Sequence, residues 1–324
     1  MTSPVVIIGA GPAGLAAAGA LARCGVSAVV IDERPCTGGH LRDHPYPLDN
    51  GRLGIEVVER LLADLPSDRV TIRSDAFAWG LFEGWRVAVS ANGRTEILET
   101  PAVVLAAGLV QQIHPFPGWT TPGVMTAHAA RELLRRHIPP GRRAAVLGKT
   151  TLGAWIALEL QAAGVDVIGP LEAAGVRVEG STRVRSLTVD GRDGGAGERL
   201  DVDLVVLAQS ASPLIELALQ AGCRTIHDGR LGGYVPVFTL DLGASQAGLF
   251  VAGGIIGVQT AGEAVALGRL AGVAAAARAG AVDVAAVERV RAEIWAALEA
   301  STQREGTVER LEAWRAITAM TVVT

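Results

Sequence analysis

The chain of 324 residues has little of several things that usually mark function. Lys149 is its only lysine, and it has three cysteines, three methionines, five phenylalanines and two tyrosines. The lack of lysine is a composition bias, because arginine supplies the other basic residues. The net charge of −4 gives no electrostatic footprint for nucleic acid. Cys24, Cys36 and Cys223 have no Cys-x-x-Cys spacing, so neither a redox dithiol nor a cysteine metal site is supported, and thiols of a reducing compartment are expected. His128, His137 and His227 have no metal-ligand spacing either, so no metal is assigned. A Gly-x-Ser-x-Gly elbow is missing, which removes the usual hydrolase signature. No basic region precedes the apolar N-terminal run, so a signal peptide is not expected. No segment has the length and polarity of a membrane span. The apolar stretch Ala261–Ala277 includes Glu263 and Arg269 and is followed by Arg278. These absences predict a cytoplasmic location, peripheral to a membrane only through a complex.

What is present is an Ala- and Gly-rich apolar chain, 49% hydrophobic and 19% charged, with forty glycines. That composition supports a large core and argues against disorder. Val5-Val-Ile-Ile8 runs straight into Gly9-Ala-Gly11-Pro12-Ala13-Gly14, and Ala-rich helical sequence follows. This is a strand–turn–helix dinucleotide fingerprint. The first glycine allows the tight turn, the second lets the backbone approach a pyrophosphate, and the third lets the helix close on the strand. The next strand, Ala28–Ile31, ends in Asp32, near the spacing of about 20 residues at which a carboxylate meets a ribose.

Further along, a helix is expected near Leu53–Leu65, with Val57, Leu61, Leu62 and Leu65 on one side. Val70–Arg73, Trp85–Ser90 and Thr95–Leu98 read as a small antiparallel meander, turned at Gly84 and at Asn92-Gly93. Val103–Gly108 is a buried strand returning to the first sheet. Pro139-Pro140-Gly141 reads as a linker before a second strand–turn–helix at Ala144–Leu147, and Leu249–Gly254 as a last buried strand before a long helix. The expected divisions are residues 1–140 with 229–282 as one discontinuous domain, 141–228 as an inserted one, and 283–324 as a helical tail. In the tail, Val287, Val290, Ile294 and Leu298 share one apolar face, and Val308, Leu311 and Trp314 share another. Both faces suit packing on their own domain, with a partner surface as the alternative.

The second turn, Gly148-Lys-Thr-Thr-Leu-Gly153, has Thr150 where a second glycine belongs. A side chain there keeps the backbone away from a pyrophosphate. The strand Val165–Ile168 leads into Gly169 and Pro170, so no acid is expected for a ribose, and NAD(P) is not expected to bind. His40, His44 and His114 fall in loops where a general acid or base could sit, but nothing in the sequence fixes their geometry, and an exposed loop histidine explains each better. Asp43, Tyr46 and Asp49 near His44 have no recognised spacing. Arg131, Arg135 and Arg136 read as a solvated helix face.

The glycine turn, Asp32-Glu33-Arg34 with Gly38-Gly39, the Ala106-Ala107-Gly108 strand end and the Ala252-Gly253-Gly254 return resemble the two-dinucleotide-fold flavoproteins of the pyridine nucleotide-disulfide oxidoreductase type. Pro115-Phe-Pro-Gly-Trp119-Thr-Thr-Pro-Gly-Val-Met125 and Gly253-Gly-Ile-Ile-Gly-Val-Gln-Thr-Ala-Gly-Glu263 are similar to stretches in α-subunits of opine oxidase, hydroxyproline and proline dehydrogenase, and hydrogen cyanide synthase. Multisubunit sarcosine oxidase is a more distant likeness.

This resemblance implies an α/β protein: a Rossmann-like FAD-binding domain, with parallel sheet and antiparallel meander, and an inserted, shortened second Rossmann-like domain. It implies a cofactor site made of Gly9, Gly11, Pro12, Ala13, Gly14, Asp32, Glu33, Arg34, Gly39, His40, Ala107, Gly108, Gly253, Gly254 and Thr260. The bound group would be FAD, or another adenine nucleotide such as ATP. The helix after Gly257 would turn its positive end toward the flavin ring. One departure is Gly254, which stands where the family usually has an acid. The iron–sulfur region that opine-type subunits often carry is also missing, so any such cluster would sit on a partner chain.

The implied function is an α-like subunit of a hetero-oligomeric FAD-dependent amine or amino-acid dehydrogenase or oxidase, acting on a CH–NH bond. Its partners would be an FAD-containing catalytic β-subunit, with a small ferredoxin-like subunit beside it. A non-catalytic nucleotide-binding scaffold and a stand-alone NAD(P)H-dependent flavin oxidoreductase are the alternatives. No catalytic residue is assigned.

Overall fold

The computed structural model describes residues 3–44, 47–48, 51–172, 175–190, 197–209, 211–257, 260–301 and 307–321. Tyr46 and Asp49, named above, lie outside these, as do Val258 and Gln259 of the return segment. The chain divides into two compact units, Met1–Val110 with Ser212–Thr324, and Gln111–Ala211. Both crossings come earlier than the Pro139-Pro140 and 228/229 boundaries expected from sequence. The physical reason is strand pairing. Val124–Thr126 pairs in parallel with Leu204–Leu207, and Ala127 and Ala130 of the helix that follows are buried in the core of the second unit. On the return side, Thr225–Asp228 pairs with Gly233–Pro236, whose Val235 lies in the core of the first.

The first unit is built on a parallel sheet of five strands in the order Leu249–Val251, Val103–Leu105, Val5–Ile8, Ala28–Ile31, Val70–Arg73. The central strand is buried along its whole length, as expected for a parallel sheet covered on both faces. Helices Pro12–Arg23 and Ala261–Arg278 pack closely because their contact is made of small residues. A Cβ at Gly268 or Gly272 would strike the backbone of Ala13 or Ala17. The richness in Gly and Ala therefore sets a short interhelical distance.

Val70–Arg73 is not part of the meander. It pairs in parallel with Ala28–Ile31, since the helix Gly54–Ala63 before it completes a strand–helix–strand crossover. The meander is Ala76–Phe82, Arg86–Ala91 and Arg94–Glu99, with its last turn at Asn92-Gly93 as the sequence predicts. In the tail, Val287, Ile294, Leu298, Leu311 and Trp314 are buried in the core of the first unit. Val290 is partly buried, while Val308 is exposed. Trp314 is fully buried, and its indole N–H donates to the Ile256 carbonyl at 2.8 Å. The tail face is thus used within its own unit. No described helix is long and apolar enough to cross a membrane.

The second unit holds a parallel sheet in the order Asp166–Leu171, Arg143–Leu147, Leu204–Leu207, Val124–Thr126. A separate antiparallel sheet is formed by Val176–Glu179, Ser186–Val189 and Glu198–Asp201. Helix Thr151–Ala162 lies against helix Ala127–Arg135. Arg131 is not solvated as expected: its Nε is 3.0 Å from Glu159 Oε2 across that helix pair, and both side chains are largely covered.

Candidate nucleotide site

The first turn is shaped by backbone contacts that leave room for no side chain at two of its glycines. Gly9 has φ +103°, and its N–H donates to the Ile31 carbonyl at 2.8 Å. A Cβ on Gly9 would be driven into the Ala106 carbonyl, and one on Gly14 into the carbonyl of Gly9 itself. Gly11 differs from both. It is the N-cap of helix Pro12–Arg23, no side chain caps that helix, and nothing lies within 4 Å of where its Cβ would be. Pro12 at the first helical position lacks an N–H, and its ring presets the helical φ. The result is a helix N-terminus whose first backbone N–H groups no side chain caps, the arrangement that receives phosphate oxygens.

Asp32 is only 8% exposed. Its Oδ2 accepts the Ala10 N–H at 2.5 Å and its Oδ1 accepts the Arg34 N–H at 2.8 Å. Each such charge-assisted bond contributes about 1.5–3 kcal/mol. The carboxylate therefore ties the turn to the loop after the second strand. Sequence reasoning does not find this tie, because no spacing rule links Asp32 to Ala10. The Arg34 guanidinium lies 3.3 Å from Asp43, and Glu33 is exposed. The Gly38 N–H donates to the Ala10 carbonyl at 2.8 Å, and a Cβ on Gly39 would come within 3.2 Å of Gly11 Cα. Gly9, Gly11, Pro12, Ala13, Gly14, Asp32, Arg34 and Gly39 thus form one continuous rim.

The other expected residues come from four further segments of the same unit. His40 is exposed, with Nε2 3.2 Å from the Leu109 carbonyl. Ala107 is partly buried, and the Gly108 carbonyl accepts the Leu214 N–H at 3.1 Å. Gly253 and Gly254 open a short 3-10 turn rather than extending the strand, and Gly253 packs against Ala13. Gly254 lies so close to Gly108 that a Cβ would come within 2.9 Å of its carbonyl carbon. An acidic side chain at this position has no space unless the Gly108–Leu109 backbone moves. Thr260 caps helix Ala261–Arg278: its hydroxyl accepts the Glu263 N–H at 3.2 Å, and Glu263 in turn accepts the Thr260 N–H at 2.7 Å. Arg310, 2.8 Å from the buried Glu263 carboxylate, joins the C-terminal helix to this cap. Such a long-range pair has no local sequence signal.

The second turn repeats the first in a separate unit. Gly148 has φ +120°, its N–H donates to the Leu171 carbonyl at 2.8 Å, and its Cβ would lie 2.5 Å from the Ala208 carbonyl. Gly153 is closed against the Gly148 carbonyl as Gly14 is against Gly9. The central position differs. Thr150 caps the helix, its hydroxyl donating to the Ala208 carbonyl at 2.6 Å and accepting the Gly153 N–H at 3.0 Å.

The expectation that no acid follows the second strand is corrected here. The strand runs on to Leu171 through a register shift opposite Ala145–Leu147. Leu171 holds the Gly148 N–H just as Ile31 holds that of Gly9, so Glu172 occupies the position of Asp32. Beside this turn, Gly148, Thr150, Phe116, Leu171, Val176 and Glu172 help to line a cavity of about 520 Å³.

Burial raises the pKa of the Cys24 and Cys223 thiols above the ordinary range, which keeps them protonated and poorly nucleophilic. Cys36 is exposed.

The family profile of the pyridine nucleotide-disulphide oxidoreductases matches residues 3–169. The chain is 31% identical to the alpha subunit of sarcosine oxidase from Rhizobium meliloti (strain 1021), over 82% of this chain and 29% of that one. It is 29% identical to an opine oxidase subunit of Agrobacterium tumefaciens (strain Ach5), over 84% of this chain and 65% of that one. Its fold matches the crystal structure of L-proline dehydrogenase from P. horikoshii with a TM-score of 0.76 and 26% identity, covering 90% of this chain and 59% of that one. The chain spans less than two thirds of the length of each of these proteins. With the profile matching just over half of its residues, and with two glycine turns of the same build on two parallel sheets, the chain belongs to the pyridine nucleotide-disulphide oxidoreductase family.

Proposed function

We propose that this chain is an FAD-binding, α-like subunit of a hetero-oligomeric amine or amino-acid dehydrogenase or oxidase. The observation that carries the reading is the uncapped helix behind Gly11, set beside a buried Asp32 that the turn itself orients. These residues fit the adenosine diphosphate half of the cofactor, because the rim is rigid where the glycines are closed and open where a phosphate would rest.

In this reading Gly9, Gly11, Pro12, Ala13 and Gly14 hold the pyrophosphate, Asp32 holds the ribose, and Glu33 stands beside it. Arg34, Gly39 and His40 line the middle of the site, and Ala107, Gly108, Gly253, Gly254 and Thr260 line its ring end. When bound, FAD supplies a two-electron acceptor that no side chain provides. The protein's part is to orient the cofactor and to cover it from water. The positive end of helix Ala261–Arg278 favours negative charge, and in this unit it already holds the Glu263 carboxylate of its own capping box.

The proposed substrate class is an amine or amino acid of the opine, proline or hydroxyproline type, oxidised at a CH–NH bond; the likeness to sarcosine oxidase, opine oxidase and proline dehydrogenase supports an amine or amino acid of this kind. The proposed partners are a small ferredoxin-like chain and a separate FAD-containing catalytic subunit, with any iron–sulfur cluster on the former. The proposed location is the cytoplasm.

A second reading, a nucleotide-binding scaffold without redox work, draws on one observation, the packing of Gly254 against Gly108 at the ring end. The two readings separate when the chain is purified from its complex and denatured. Release of FAD, with a flavin spectrum in the native chain, is the expected result. Release of an adenine nucleotide without flavin supports the scaffold, and release of no nucleotide overturns both.

A further inference from the structure

We infer that the cavity of the second unit binds a ribosyl ligand that brings no pyrophosphate to the turn, a nucleoside in chemical class rather than a dinucleotide. The acid that takes a ribose diol is retained. The N–H of Gly148 on the Leu171 carbonyl makes Glu172 the counterpart of Asp32, and Glu172 stands in the cavity wall.

The phosphate position is not retained. The Thr150 side chain fills the space that Gly11 leaves open, and the Gly153 N–H, one of the donors a phosphate would need, is already bonded to the Thr150 hydroxyl. The hydroxyl is itself held by the Ala208 carbonyl, so swinging it aside costs two hydrogen bonds. A pyrophosphate would meet a fixed methyl and oxygen where the first turn presents bare backbone. The cavity of about 520 Å³ has a size suited to a small ligand. Phe116, Leu171 and Val176 give it apolar wall for a base.

The test uses the full chain as purified. Adenosine, ADP and NADH are titrated separately, and binding is located by hydrogen exchange in peptides covering 143–172 and, as the control for the first turn, 5–34. Adenosine is expected to protect 143–172, with ADP and NADH binding there no more tightly than adenosine. Glu172→Gln is expected to weaken adenosine by about ten-fold or more, equivalent to about 1.4 kcal/mol. Thr150→Gly is expected to tighten ADP relative to adenosine by about ten-fold. If the glycine variant fails to fold, Thr150→Ala opens the same space with a better helix former and should shift the ratio in the same direction. Three results would overturn the proposal: no adenosine protection in 143–172, wild-type ADP or NADH binding there about ten-fold tighter than adenosine, or a Glu172→Gln chain that binds adenosine unchanged. An ADP-to-adenosine ratio unmoved in a folded Thr150 variant would overturn the role given to that residue and the proposal with it.

Discussion

The turns at Gly9–Gly14 and Gly148–Gly153 are two castings of one backbone design that differ in what stands at the helix cap. In both, the first glycine is pressed on the carbonyl of a neighbouring strand end, and the third is pressed on the carbonyl of the first. Both cap residues have an extended backbone, with φ −71° and ψ −179° at Gly11 and φ −115° and ψ 165° at Thr150. The turn therefore does not need glycine at its middle position for its own geometry. Glycine there serves a ligand, whereas the outer two glycines serve the fold. A hydroxyl at that position satisfies the helix end internally and removes the reason for a phosphate to bind.

The largest expected effect tests the equivalence of the outer glycines. Gly14→Ala and Gly153→Ala each force a methyl group into a backbone carbonyl and should each cost about 3 kcal/mol or more. Hydrogen exchange on the full chain should place each loss in its own unit. A variant with wild-type protection would end the equivalence. Next in size is the transplant of the cap. Gly11→Thr should fold normally, since its Cβ meets nothing within 4 Å. It should bind adenine nucleotide about 100-fold more weakly, or about 2.7 kcal/mol. Calorimetry would detect this, and unchanged affinity would mean that the cap does not distinguish the two turns.

Asp32→Asn keeps the shape of the side chain but loses the charge that strengthens the Ala10 and Arg34 bonds. Stability of the first unit should fall by about 1–2 kcal/mol, measured by urea titration, with no change in the second unit.

The smallest effect is a difference in acid sensitivity. The Arg230 guanidinium beside Asp228 holds that carboxyl below its usual pKa, and Arg269 does the same for Glu293. Both carboxylates belong to the first unit. A folded-state pKa below the unfolded value contributes stability that is present above the unfolded pKa and is lost as pH falls through the folded one, so the loss begins below about pH 4. Asp228→Asn should flatten this acid limb slightly in a pH series of urea midpoints. A steeper limb in the variant would contradict the assignment.

How much of the molecule is legible in its sequence depends on how far apart the interacting residues lie in the chain. The first turn is readable because its strand, glycines and helix are consecutive, and each residue type has a local steric reason. The hairpin at Asn92-Gly93 is readable for the same reason. Val70–Arg73 reads as part of the meander because a short β-branched run looks alike in parallel and antiparallel neighbours. Only the crossover through Gly54–Ala63 distinguishes them. Ala76–Phe82 escapes notice as a strand because Ala and Gly dilute its alternation. Glu172 escapes notice because a register shift in the pairing with Arg143–Leu147 carries the strand past Gly169 and Pro170. A count along the chain assumes regular pairing and stops too early.

The sequence by itself determined the two strand–turn–helix units, the open cap at Gly11 and the filled one at Thr150. Each of these follows from the presence or absence of a side chain at a position set by local geometry. The tertiary structure decided the rest. It locked Asp32 onto its own turn, brought Glu172 level with that position in the second unit, buried the tail with Trp314 and Arg310, and packed Gly254 on Gly108. The physical reason is that these outcomes depend on strand register and on contacts between residues distant in the chain. No pattern of neighbouring residues encodes such distances.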